Sequence, residues 1–138
     1  PLISTQTLAA RIQTVLAANA SLATVSRVLD FDAVLANDLR SAPMLWVVLD
    51  GEEASENALD NGVSQKVSVS FSVIYAAVDV GTLDTLRTLL RTALLAWTPG
   101  DDPTASPCEF RSGEIADLAG DIVWWRDTYA TSYLSRAF

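Results

Sequence analysis

The chain has 138 residues, half of them hydrophobic and 19% charged, which describes one globular domain over 1–138 and not a disordered tail. Seventeen acidic against nine basic residues give a net charge of −8, with Lys66 the single lysine and eight scattered arginines. Direct capture of nucleic acid, which needs clustered bases to neutralise phosphates, is not expected of it.

No apolar run is long enough to cross a bilayer, and the first residues lack the basic region and apolar block of a secretory signal. A soluble protein made in a cytoplasm is expected, and Pro1 is consistent with a removed initiator methionine. Ser4 or Thr5 caps a first helix in which Leu8, Ile12, Val15 and Leu16 recur at helical spacing, with Asn19 as its stop. Rising β-branched content over 24–31 predicts a strand, and Asp32 then caps a short helical turn through Ala33, Val34, Leu35 and Leu39. Pro43 ends that turn, because it disfavours helical geometry in the residue before it. The apolar run 44–49, which contains Trp46, reads as a strand buried on both faces.

Residues 50–62 carry Asp50, Glu52, Glu53, Glu56 and Asp60, two glycines and no base, which predicts an exposed, mobile hairpin loop. The strand at 66–75 follows. Its Val67, Val69, Phe71, Val73 and Tyr75 point to a core and its Ser68, Ser70 and Ser72 point away. Gly81 and Thr82 open a second helix with the stripe Leu83, Leu86, Leu90, Leu94 and Trp97, ended by Pro99 and Gly100. Asp84 lies near its positive end, where a carboxylate is favourable. A polar connection, Asp101, Asp102 and Pro103, leads to a short strand at 108–111 that breaks at Gly113. A last strand starts near Asp121, is apolar on both faces through Trp124 and Trp125, and grows more exposed toward Leu134. Trp125 shares a face with Tyr129 and Tyr133 and is expected in the core. The class is α+β: a mostly antiparallel sheet packed against two main helices.

Candidate chemistry is sparse. Histidine is absent, which removes the commonest general base and metal ligand, and the lone Cys108 has no imidazole to activate it. Its alternating strand position favours a small buried hydrophobe. Asp30 and Asp32 form an Asp-x-Asp pair without a third ligand, so Asp32 as a cap is the simpler account. Glu52, Glu53 and Glu56 lack the spacing of a calcium loop. No Gly-x-Ser-x-Gly elbow, Walker loop or dinucleotide fingerprint occurs. Trp124 and Trp125 face opposite sides of a strand and cannot form one stacking platform; core for one and interface for the other is the division expected. No enzymatic activity, metal or cofactor is predicted.

Three features over 83–133 carry a resemblance: the leucine-rich helix running into Trp97 and Pro99, the strand ending at Ser112-Gly113, and Trp124-Trp125-x-Asp127-Thr128-Tyr129. Together with the element order, they resemble the tail terminator (tail completion) proteins of long-tailed bacteriophages. Ala96 departs from the pattern, since similar chains often have glycine before this tryptophan.

The resemblance implies a virion protein, assembled in a host bacterial cytoplasm, that forms a ring of identical subunits, typically a hexamer. The ring would sit on the last ring of tail tube protein, stop tube growth and offer a joining surface to a neck or head-completion protein. DNA would pass the lumen without specific binding, and acidity would help repel it, though acidity for solubility alone is the simpler account. The resemblance also implies a partner-docking loop that orders on docking, for which Asp50, Glu52, Glu53, Glu56 and Asp60 are the candidates. Trp46, Trp97, Trp124, Trp125, Tyr129 and Tyr133 are the candidate core or interface aromatics. Two other readings stay open: another neck or tail-tube component, and a small-molecule-binding regulatory domain with a pocket near the tryptophans.

Overall fold

A computed structural model of the protein describes residues 2–17, 24–28, 44–119 and 121–137. The expected turn at 32–39, the Asp30/Asp32 pair and the stop at Asn19 lie outside the described residues.

The architecture is α+β. Helix α1 spans Thr5–Ala17 and helix α2 spans Val80–Leu94; the strands are β1 (Thr24–Val28), β2 (Met44–Ala54), β3 (Val63–Ala77), β4 (Glu109–Ala119) and β5 (Ile122–Ala137). They form one five-stranded sheet in the order β1-β2-β3-β5-β4. β1 pairs with β2 in parallel, and the other neighbours are antiparallel.

Side-chain alternation sorts the sheet residues between two clusters. On one face Leu45, Val47, Val67, Val69, Phe71, Val73, Tyr75, Tyr129 and Tyr133 pack against Leu8, Ile12 and Leu16 of α1 and Leu83, Leu86, Leu90 and Leu94 of α2. On the other face Trp46, Val48, Ile74, Ala76 and Trp124 form a second cluster. The outer face of β3 is therefore polar from Ser64 to Ser72 and apolar only at Ile74 and Ala76. From Ser72 to Ala77 every residue is buried.

The α1 stripe matches the predicted spacing, and Ser4 caps the helix through its Oγ, which accepts from the Thr7 amide at 3.2 Å. The opening of α2 differs from expectation: Asp79 is the cap, its Oδ1 accepting from the Thr82 amide at 2.7 Å. A side-chain oxygen at that position satisfies an orphan helix N–H, which neither Gly81 nor the Thr82 backbone can do.

The helix also stops at Leu94, short of Trp97 and Pro99. Ala96 adopts φ 62°, the left-handed region, and its amide then donates to the Cys108 carbonyl at 3.1 Å while the Cys108 amide donates to the Trp97 carbonyl at 2.8 Å. Cross-strand pairing with the β4 entry thus replaces the last helical turn. Half-buried Trp97 sits under Arg11, whose guanidinium carbon lies 5.7 Å from the ring centre and whose Nε donates to the Ala93 carbonyl.

Three further strand expectations are corrected. β2 does not end at residue 49 but continues to Ala54, past a bulge between Leu49 and Gly51. β4 does not break at Gly113; it runs on to Ala119 with bulges between Phe110 and Ser112 and between Ile115 and Asp117. β5 is buried deepest in its middle, at Asp127, Tyr129 and 131–133, and not at its opening. There Trp124 is 2% exposed, whereas Trp125 is only half-buried.

Candidate functional site

Three surfaces carry the polar residues that the core does not use. The first is the acidic hairpin. Expected as a mobile loop, residues 50–54 are instead strand, and 55–62 form a tip whose backbone groups are met by side chains. Asn57 Oδ1 accepts from the amides of Leu59 (3.1 Å) and Ser64 (2.8 Å), and Asn57 Nδ2 donates to the carbonyls of Leu59 and Gly62. Ser55 Oγ accepts from the Lys66 amide, and the Ser55 amide donates to the Lys66 carbonyl. Gly62 turns the chain at φ 104°, a conformation that favours glycine. These short-range side-chain bonds satisfy the backbone of the tip where no strand partner does. Glu52 and Glu53 on β2 and Glu56 and Asp60 on the tip all stand exposed.

Asp50 does not belong with them. It follows Trp46 and Val48 in alternation and carries its carboxylate to the sheet face opposite the helices, where it accepts from Ser72 Oγ and pairs with Arg126. Arg126 Nε also donates to Ser72 Oγ at 2.9 Å, and Ser72 lies 3.1 Å from the Thr128 hydroxyl. This network borders the second surface, where Ser68, Ser70, Ala130 and Ser132 stand side by side across β3 and β5. The stretch is short-chained and hydroxyl-rich, with exposed Glu53 opposite Ser68 and exposed Glu109 opposite Ala130 at its flanks.

The third surface lies along α2. Arg87 grips Asp127 with two nitrogens, Nε to Oδ2 and Nη2 to Oδ1, both at 3.0 Å. The Asp127 side chain is fully buried and that of Arg87 is 22% exposed. Trp125 Nε1 donates to the same Oδ1 at 2.8 Å, and the Arg87 guanidinium carbon lies 4.4 Å from the centre of the Trp125 ring. This assembly explains Gly113: a Cβ there would fall 2.6 Å from Asp127 Oδ1 and 3.0 Å from Arg87 Nη2. Glycine at this point permits close approach; it does not end a strand. One turn further along α2, the Arg91 guanidinium carbon sits 4.0 Å from the centre of Phe110.

Burial pushes the Cys108 thiol up to about 11, so it stays protonated near neutrality. Burial first, then the Asp127 charge, pushes the Tyr129 hydroxyl up to about 12, and burial raises Tyr75 well above its ordinary value. Among the described residues no three Cys, Asp or Glu side chains converge to hold a metal ion, and no helix is long and apolar enough to cross a membrane.

The structure therefore separates the predicted site residues. Trp46 and Trp124 stack with ring centres 5.5 Å apart, on the face away from the helices. Tyr129 stacks on Phe71 on the helix-covered face, where Tyr133 is also buried. Trp97 joins the helices and Trp125 belongs to the Arg87–Asp127 assembly. Sequence reasoning missed Arg87 and Asp127. The available signal was the i, i+4 spacing of Arg87 and Arg91 beside an apolar stripe, which sets two cations on one flank of the helix.

The family described as phage tail terminator protein matches residues 2–137. Among solved structures, a chain from "Virion of native gene transfer agent (GTA) particle" has a similar fold, with a TM-score of 0.56 and 16% identity over 93% of this chain and 95% of that one. No curated protein matches the chain in sequence. The chain belongs to the phage tail terminator family, structural proteins of the phage tail.

Proposed function

We propose that this tail protein acts by assembly: copies of it close into a ring, a hexamer, that sits on the last ring of tail tube protein, ends tube polymerisation and presents its far side to a neck or head-completion protein. The family match over nearly the whole chain carries this reading. The surface chemistry supports it. An ordered, acidic hairpin is suited to dock on a partner, the docking role falling to Glu52, Glu53, Glu56 and Asp60, while Asp50 serves the body of the sheet. The short-chained, hydroxyl-rich face around Ser68, Ser70 and Ser132 suits the wall of a lumen through which DNA slides, and the net charge of −8 disfavours its capture. No cofactor takes part and no bond is made or broken. Assembly would take place in the bacterial host before the protein becomes part of the virion.

Adding the purified protein to polymerising tail tube protein tests this. Tube growth is expected to stop, with a ring visible at one tube end by negative-stain microscopy. Tubes that lengthen at the same rate with and without it, their ends bare, would refute the reading.

A further inference from the structure

A groove runs beside α2. It measures about 500 Å³ and is lined by Asp84, Arg87, Thr88, Arg91, Thr92 and Leu95. Arg87 is committed to Asp127, whereas the Arg91 guanidinium lies over Phe110 and beside the Tyr129 hydroxyl and meets no carboxylate among the described residues. Apolar side chains stand open nearby: Leu95 is 42% exposed, and Ile115, opposite Trp125 on β4, is 56% exposed. Asp127 balances Arg87 and Asp84 belongs to the same lining, so Arg91 is the cation the groove can offer to an incoming carboxylate. Such a groove is complementary to a segment that carries carboxylates around one apolar side chain.

The hairpin tip has that chemistry. Leu59, 36% exposed, stands between Glu56 and Asp60 and is held at its backbone by Asn57. A tip already fixed in shape loses little conformational freedom when it docks. It cannot reach the groove of its own chain. The hairpin leaves the sheet where Val63 pairs with Ala137, whereas the groove lies over the part of β5 that contains Asp127. Ten residues of strand, roughly 30 Å at about 3.3 Å each, separate the two. A tip and a groove at opposite ends of one subunit define a head-to-tail contact, the kind that closes into a ring when the rotation permits.

We propose that the β2–β3 hairpin tip of one copy docks in the α2 groove of the next, with Glu56 and Asp60 facing Arg91 and Leu59 packing on Leu95. The inference rests on the ring reading above and names the contact that builds the ring. Two charge-reversed proteins test it: Arg91→Glu, which alters the groove, and the exposed-tip variant Glu56→Lys/Asp60→Lys. Light scattering, in solution and on tail tubes, reads assembly, and circular dichroism confirms that each variant is folded.

Each variant alone is expected to assemble at least tenfold more weakly than wild type. An equimolar mixture of the two should recover assembly, because every tip then finds a groove of opposite charge. If Arg91→Glu fails to fold, the tip variant mixed with Arg91→Gln serves in its place, with partial recovery expected. Variants that assemble like wild type, or a mixture of folded variants that recovers nothing, would overturn the contact while leaving the ring reading intact. A wild-type protein that stays monomeric both in solution and on tubes would overturn both.

Discussion

On the sheet face away from the helices, Trp124 is closed to solvent and stacks on Trp46, with Val48, Ile74 and Ala76 around it. On the helix-covered face its neighbour Trp125 stays half-exposed, its indole N–H bonded to Asp127 and its ring beneath Arg87. The buried indole nitrogen of Trp124, by contrast, has no hydrogen-bond partner among the described residues. The same side chain thus holds the fold by packing at one position and orients charges at a surface in the next. The first role draws on buried area, which is non-directional. The second draws on hydrogen bonds and a cation over a ring, which fix geometry more than they stabilise.

The contrast predicts an order of effects. Trp124→Ala should cost about 3–5 kcal/mol, the usual range for emptying a large aromatic core site, read as a lower denaturant midpoint. A loss under about 1 kcal/mol would mean that the stack is not a core element. Asp127→Ala should cost less, about 2–3 kcal/mol: it strands the Arg87 guanidinium, but that group is 22% exposed and recovers some solvation. A thermodynamic cycle with Arg87→Met checks this, and strict additivity would show the pair to be uncoupled.

Gly113→Ala should cost about 1–3 kcal/mol by forcing Asp127, Arg87 or Trp125 out of position. Wild-type stability for this variant would show that the approach is not tight. Trp125→Phe keeps a ring beneath Arg87 and removes only the indole donor, so about 1 kcal/mol is expected from chemical denaturation. A loss as large as that of Trp124→Ala would erase the distinction between the two tryptophans.

Periodicity made the framework legible. Val67, Val69, Phe71, Val73 and Tyr75 declared one face of β3, and Leu83, Leu86, Leu90 and Leu94 declared the buried stripe of α2. Trp97 joined that stripe on spacing alone, because nothing local announces that Ala96 turns left-handed; the bond from its amide to the Cys108 carbonyl is made between distant segments. The hydrogen bonding of the tip was illegible for the opposite reason: its acids dominate the composition, while the residue that bonds its backbone, Asn57, is one uncharged side chain among them. Trp125 was placed in the core because its face was read correctly, whereas its depth depends on how far α2 reaches over the β4 edge of the sheet. Asp127 was invisible as a buried charge, since its partner lies forty positions away on another element.

The bulge at Asp50 has a consequence of its own. Before it, Leu45, Val47 and Leu49 lie opposite Tyr75, Val73 and Phe71 on the helix side; after it, Glu52 lies opposite Val69 and Ala54 opposite Val67. The extra residue works as a phase shift, exchanging odd for even along the rest of the strand. It sends Glu52 toward Tyr133, whose hydroxyl pKa is raised by burial and then by that carboxylate, and leaves Glu53 opposite Ser68 on the other side. The parity of the chain between bulge and tip thus decides which acid each neighbour of the hairpin meets. In this stretch an even change in length would preserve the pattern of charge, and a change of a single residue would invert it.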